Sequence, residues 1–256
     1  MIVTTAGRTN EDYINKAKIV ANDLGVRYVP RKKRSLSALH TTHQNIVVVG
    51  KDGIQLYHKD SNEPYFFHPN VAMIRVKRLL KGEQDPLIDV SGLGEGDSFL
   101  DCTLGNGSDS LVASLVVGHC GSVVGVESSN ALAYVTKEGL QSWVSDLELV
   151  NEAMRRIVVV NEDHFSYLQK QPSNSVDVIY FDPMFEETIE ESNGLRAMSA
   201  FTSYTTITTE TIAEARRVAR KRIILKDHFR STRFSNLGFH QHIRKTSKFH
   251  YGTIEL

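Results

Sequence analysis

The sequence contains no apolar run approaching the roughly 20 residues that a membrane-spanning helix needs, no internal repeat and no low-complexity tract. Helical membrane proteins, fibrous proteins and repeat arrays are thereby excluded. Cysteine is scarce, Cys102 and Cys120 being the only two in 256 residues. No disulfide framework or cysteine metal site is expected, and both are read as reduced, buried thiols. His40 with His43, and His240 with His242, lack a matching second pair, so they are read as surface histidines and no metal centre is expected. Residues 1–7 lack the basic stretch and long apolar core of a secretory signal, which leads to the expectation of a cytoplasmic protein.

Net charge is also absent, the formal value being zero, but this conceals a segregation. Residues 1–85 carry 14 Lys/Arg against 8 Asp/Glu and residues 213–256 carry 11 against 3, whereas residues 86–212 carry 5 against 19. The basic arms either neutralise the acidic middle within one fold or meet a polyanionic partner.

What is present is alternation. Ile2 to Thr5 reads as a strand, Asn10 to Leu24 as a helix ended by Gly25, and Val26 to Val29 as a strand. Arg31, Lys32, Lys33 and Arg34 follow in one run. Asn45 to Val49 and Ile54 to Tyr57 flank Gly50-Lys51-Asp52-Gly53, a hairpin pattern. The aromatic stretch Tyr65-Phe66-Phe67-His68 before Pro69 suits either core packing or base stacking. Val71 to Lys81 reads as a helix bearing Arg75 and Arg78.

Beyond it come strands at Ser98 to Cys102, Ser122 to Val126, Arg156 to Val160, Ser175 to Phe181 and Arg222 to Lys226. Helices are expected at Asp109 to Val117, Asn130 to Val150, Phe165 to Gln169 and Thr208 to Arg220, and a terminal antiparallel pair at Phe239 to Thr246 and Phe249 to Glu255. The pattern predicts an α/β chain with a small N-terminal α/β region over residues 1–68, suited to substrate recognition. Residues 69–256 would form a Rossmann-like, doubly wound and mostly parallel sheet.

Ligands of such sheets bind beyond the carboxyl ends of the strands, and four predicted strand ends carry acids: Asp101, Glu127, Asp163 and Asp182. Between the first strand and its helix lies Gly105-Asn106-Gly107-Ser108-Asp109, a loop that brings backbone and a helix N-terminus close to a ligand. Serine stands where a dinucleotide loop has its third small residue. Asp101 would repel a pyrophosphate but suits a cationic amino-acid moiety. The loop therefore favours S-adenosylmethionine over NAD. Glu127 can accept both ribose hydroxyls, and Asp163 an adenine amino group.

The run D-x-T-x-G-x-G-x-D at Asp101 to Asp109, the acid Glu127, the tetrapeptide Asp182-Pro183-Met184-Phe185 and the basic late strand R-I-I-L-K resemble class I S-adenosylmethionine-dependent methyltransferases. Within these, the chain is similar to the bacterial family that methylates the exocyclic N2 of a guanine in 16S ribosomal RNA. The resemblance runs from about His68 to the C-terminus. It implies cofactor contacts at Ser108, Asp109, Glu127, Ser128, Asp163, His164 and Asp182, beside Asp101, Gly105 and Gly107 read from the loop. Catalysis would fall to Asp182 and Pro183 as acceptors of the amine hydrogens and to Phe185 as a stacking ring.

Ribosomal small-subunit RNA would then be the partner, met through Arg31, Lys32, Lys33, Arg34, Arg75, Arg78, Arg217 and Arg220. The chain departs from that family in the acids Glu186, Glu187, Glu190 and Glu191 after D-P-M-F, and in Asp163-His164 where the family has small hydroxyl residues. A small-molecule or protein methyltransferase, and a non-catalytic RNA-binding module on the same fold, are the alternatives.

Overall fold

Two stretches of β-branched, apolar sequence separated by a helical connector give two sheets. The computed structural model describes residues 1–61, 63–183, 198–201 and 206–256. Strand β1 (Ile2–Thr5), helix α1 (Glu11–Asp23) and β2 (Arg27–Tyr28) make a β-α-β unit with parallel strands. Asn10 starts α1 by accepting the Tyr13 N–H at 2.9 Å. A short helix α2 (Leu36–His40) leads to the hairpin β3 (Asn45–Gly50) and β4 (Gly53–His58), completing the order β2-β1-β3-β4.

Helices α3 (Asn70–Leu79) and α4 (Pro86–Ser91) connect to β5 (Ser98–Asp101), α5 (Ser108–Val117), β6 (Ser122–Glu127), α6 (Asn130–Ser142), α7 (Glu148–Arg156) and β7 (Ile157–Asn161). The chain continues through α8 (His164–Lys170), β8 (Val176–Phe181), α9 (Thr209–Val218), β9 (Ala219–His228), α10 (Arg233–Asn236), β10 (His240–His242) and β11 (Phe249–Glu255). The second sheet has the order β10-β11-β9-β8-β5-β6-β7, parallel from β9 to β7 with β10 and β11 antiparallel at one edge. The chain runs outward from β5 to β7, then returns across β5 to β8, so the topological switch lies between β5 and β8. That is where an open α/β sheet opens a crevice for ligands.

Four expectations change. The single helix over Asn130 to Val150 is two helices, because Trp143 is extended and the Asn151 side chain ties down the turn, accepting from the Ser145 N–H at 2.7 Å and donating to its carbonyl at 3.0 Å. Helices α2, α4 and α10 fall where no helix was expected, too short to show a clear period. Strand β9 is twice the expected length, since Ala219 at its start pairs with Val176 of β8 and its pairing with β11 runs from Arg222 through Asp227 to His228. Cys102 is buried, but Cys120, in the turn before β6, is exposed. Among the described residues no helix is long and apolar enough to cross a membrane.

The aromatic stretch is mainly structural: Tyr65 and Phe67 are buried, and Phe66 is 45% exposed. A Cβ on Gly139 of α6 would lie 2.0 Å from Cγ of Phe67. Gly139→Ala is therefore expected to lower Tm, although glycine to alanine in a helix ordinarily gains about 1 kcal/mol. Overpacking costs about 1–3 kcal/mol. A calorimetric Tm above that of the wild type would show instead that Phe67 moves aside freely.

Candidate active site

Asp101 and Glu127 are the last residues of β5 and β6, Asp182 follows β8 directly, and Asp163 lies two residues beyond β7. Since β8, β5, β6 and β7 are neighbours, the four acids line one rim of the sheet. The glycine loop crosses this rim with Gly105 at φ 51° and Gly107 at φ 71°, left-handed conformations that a side chain would strain. Its backbone is pinned on both sides. The Gly105 N–H donates to Glu127 Oε2 at 3.0 Å, and the Gly105 carbonyl accepts from Thr136 Oγ1 at 2.7 Å. Asn106 donates to the His68 carbonyl at 2.8 Å and accepts from the Tyr65 hydroxyl at 3.1 Å. Gly107 is the N-cap of α5 and offers no capping side chain, so the first N–H groups of the helix have no side-chain cap.

The acids divide by environment. Asp101 is 1% exposed, and both its oxygens are taken, one by the Ser110 hydroxyl at 2.7 Å and the other by the Thr103 N–H at 3.0 Å. Burial pushes its carboxyl up to about 7, against the pull of the Ser110 hydrogen bond. Its direct work is to brace the loop, so the structure turns its carboxylate toward the chain. Glu127 is raised by burial, opposed by hydrogen bonds from the Ser129, Gly105 and Ser128 backbone. Asp163 caps α8 through the Phe165 and Ser166 N–H groups at 3.0 and 3.1 Å. His164 next to it is 4% exposed, packs edge-on to Phe181 at 5.7 Å and holds its Nε2 buried with no partner among the described residues. Burial lowers its pKa, against the opposing pull of Asp163, and so favours the neutral imidazole.

Asp182 heads a chain of alternating charges. Its N–H donates to Thr103 Oγ1 at 2.6 Å, tying the end of β8 to the loop after β5. Its Oδ2 accepts from Lys226 Nζ at 2.6 Å, and the same ammonium stands 3.6 Å from Asp109 Oδ2. Asp109 also accepts from Arg75 and from the Tyr180 hydroxyl at 2.9 Å, and Arg75 makes a two-pronged contact with Asp85 at 2.7 and 2.9 Å. Burial alone would raise Asp109, but Lys226 and Arg75 overcome it and hold the carboxyl well below its usual range. For Asp182 burial prevails over Lys226 and pushes the carboxyl up to about 6. With its side chain 24% exposed, Asp182 is the member of the chain open to an incoming group.

Several sequence expectations are thereby redistributed. Gly105, Ser108, Ser128 and Asp163 lie on the rim and are partly exposed, whereas Asp109 faces inward to its cations. Pro183 is buried beside Asp182; Phe185 and the acids Glu186 to Glu191 lie outside the described residues. Arg75, expected at an RNA surface, is turned into the interior by two carboxylates. Arg78 is exposed and pairs with Glu83 at 2.8 Å. Arg217 donates to the Leu168 and Gln171 carbonyls, and Arg220 pairs with Asp177 at 2.9 Å. Both lie at the amino ends of β8 and β9, on the side of the sheet opposite the four acids. Lys226 and Thr103 stand in the R-I-I-L-K and D-x-T-x-G-x-G-x-D motifs and Tyr180 in the strand before Asp182, but the sequence assigns none of them a role in the site. A lysine closing the apolar run Ile223-Ile224-Leu225 was the available signal, since four acids on one rim require a cation.

The rim fits S-adenosylmethionine: it offers a helix N-terminus with no side-chain cap, left-handed glycines that admit close approach, exposed backbone beside Glu127, and the His164 Nε2, which has no partner among the described residues. A family model described as "Putative SAM-dependent methyltransferase" matches residues 31–250. The chain is 44% identical over 255 residues to the uncharacterised protein YpiP of Bacillus subtilis (strain 168), covering 99% of both. It is 31% identical over 150 residues to ribosomal RNA small subunit methyltransferase J of Laribacter hongkongensis (strain HLHK9), spanning 57% of this chain and 48% of that protein. The crystal structure of the SAM-dependent methyltransferase NGO1261 from Neisseria gonorrhoeae aligns over 100% of this chain and 96% of that one, with a TM-score of 0.66. At 14% identity that likeness speaks for the fold alone.

Proposed function

This chain belongs to the family of S-adenosylmethionine-dependent methyltransferases, and from that premise we propose that its acceptor is an exocyclic amine of a ribosomal RNA base, guanine N2 by the resemblance noted above. The observation that carries the reading is Asp182, a partly exposed carboxylate at the switch point, tied to the glycine loop through Thr103. When bound, S-adenosylmethionine would supply an electrophilic methyl group on a sulfonium, leaving as the neutral thioether while the methylated amine loses its proton to solvent. The chain's part is to orient the nucleophile. An exocyclic amine is a weak nucleophile because its lone pair is delocalised into the ring, and accepting its N–H bonds at Asp182 and at the Pro183 carbonyl localises that pair. Pro183 removes a backbone donor from the same loop and stiffens it. The amine hydrogens find a carboxylate with one oxygen already committed to Lys226. Rate then comes from alignment and exclusion of water, with no strongly basic group required.

An RNA acceptor is supported by the ribosomal RNA relative and by the basic arms around the acidic middle. Residues 1–68 are assigned to substrate recognition in this reading. The test is methyl transfer from labelled cofactor to undermodified ribosomal RNA, free and in assembled small subunits, followed by nucleoside analysis. Label in N2-methylguanosine is expected; label only in a small molecule or a protein would overturn the reading.

On the cofactor side, Ser108, Ser128, Glu127, Asp163 and His164 are proposed as holding groups. Glu127→Ala removes a carboxylate that fixes the Gly105 and Ser129 N–H groups and that, in this reading, also accepts ribose hydroxyls. Hydrogen bonds to a charged group contribute about 1.5–3 kcal/mol, so the cofactor Kd is expected to rise roughly ten- to a hundredfold. Isothermal titration with an unchanged Kd would take Glu127 out of the site.

A further inference from the structure

Arg31, Lys32, Lys33 and Arg34 form a turn closed by the Arg34 N–H on the Arg31 carbonyl at 2.9 Å. Both central residues are left-handed, Lys32 at φ 46° and Lys33 at φ 62°. This is the I′ class, which Asn-Gly adopts readily and which the Cβ of an ordinary residue opposes. As a turn, Lys-Lys is a poor sequence.

The flanking arginines hold it in place. Arg31 donates from Nε to the Arg34 carbonyl at 2.8 Å and from Nη1 to the Thr5 carbonyl at 3.2 Å, and Arg34 donates from Nη2 to the Pro30 carbonyl at 3.0 Å. Lys32 and Lys33 are exposed and, among the described residues, their side chains make no hydrogen bond or ion pair. Strain kept in a backbone whose side chains touch nothing points to a use for those side chains.

Their surroundings have one sign. Residues 24–51 contain six Lys/Arg and no Asp or Glu. The charges also gather in space: His43 is held below the usual histidine range by partial burial and by the N-terminal amine, Arg27, Arg34 and His40. Arg27 is exposed on β2, the edge strand of the first sheet. This edge begins near the active-site rim, because the end of α1 meets the first turn of α6. Asn130 donates to the Leu24 carbonyl at 3.3 Å and the Tyr134 hydroxyl to Asp23 at 3.1 Å, and α6 starts three residues after Glu127.

We propose that this edge docks the phosphate backbone of the RNA substrate, with Lys32, Lys33 and Arg27 as contact groups and Arg31 and Arg34 as the staples that hold the lysines outward. The inference rests on the reading of the acceptor as an RNA base. Lysine suits the task, being a compact point charge that meets a phosphate without demanding one geometry.

The test uses fluorescence anisotropy with a labelled, unmethylated 16S ribosomal RNA fragment between 50 and 200 mM salt. Lys32→Asn with Lys33→Gly installs the favoured turn residues while removing both charges. Its Tm is expected at or above that of the wild type, its RNA affinity roughly ten- to thirtyfold lower, and the slope of log K against log salt shallower by about 1.5. Lys32→Arg with Lys33→Arg is expected to retain the wild-type affinity and slope. Unchanged affinity in the Asn-Gly variant, or equal losses in both variants, overturns the dock and leaves methylation of RNA by the wild type standing. A wild type that neither binds nor methylates the RNA, and methylates an acidic protein instead, overturns both readings.

Discussion

Asp182→Ala is expected to lower kcat/KM for methyl transfer by roughly 10²–10³-fold, the loss seen when one oriented polar group is removed from a reacting centre. One oxygen of Asp182 is bound to Lys226, the residue's N–H is bound to Thr103, and the side chain is 24% exposed; among the described residues the second oxygen has no partner, which leaves it to an acceptor amine held in one direction. The fold should survive the change, because Lys226 keeps Asp109 as a counter-ion 3.6 Å away and Asp109 keeps Arg75 and Tyr180. Single-turnover rates with labelled cofactor, together with a near-native Tm, give the measurement. A rate equal to that of the wild type would remove the amine-accepting mechanism.

Lys226→Met should do two separable things. Breaking a buried ion pair from one side costs about 3 kcal/mol or more, so Tm falls. Lys226 is only 17% exposed, which leaves little solvent to screen the loss. The second effect is on pH dependence. In the wild type burial holds the Asp182 carboxyl up at about 6 and Lys226 pulls it down. Without the ammonium it rises further, and Asp109 still faces it as a like charge. In the proposed mechanism the carboxylate is the form that accepts the amine hydrogens, so activity is expected to be lost as pH falls through that value. The acid limb of the pH–rate profile in Lys226→Met therefore moves to higher pH, with activity recovering in alkaline buffer. Lys226→Arg restores the positive charge and should bring the limb back toward its wild-type position. A uniform drop in rate at every pH, with the limb unmoved, would mean that Lys226 acts on the fold alone.

How much of this was legible in the sequence varies with the range of the interactions. Strands β1, β3, β4, β5, β6 and β8 lie close to their expected places because each is a short β-branched run with turn residues at its ends. The helix pair α6 and α7 was not separable, because the break at Trp143 depends on the Asn151 side chain reaching back to Ser145. The acids on the rim were legible one by one from strand ends. Their roles were not: Asp101 and Asp109 share one motif, yet one braces the loop and the other is held between two cations.

The same division runs through the basic residues. Charge counts placed Arg31, Lys32, Lys33, Arg34, Arg75, Arg217 and Arg220 in one class, but burial and partners separate them. Arg75 is internal, Arg217 and Arg220 are engaged at the far end of the strands, and in the 31–34 turn, among the described residues, the lysine side chains make no hydrogen bond or ion pair.

The sequence by itself determined the alternation of strand and helix, the glycine loop and the acids that follow the strands. These depend on hydrophobic period and local turn chemistry, which a few neighbouring residues specify. Only the tertiary structure decided which acid is exposed, which cation answers it and which charges face a partner. Those properties arise when side chains far apart in the chain meet, because desolvation and distance set the energy of a charge and neither is encoded locally.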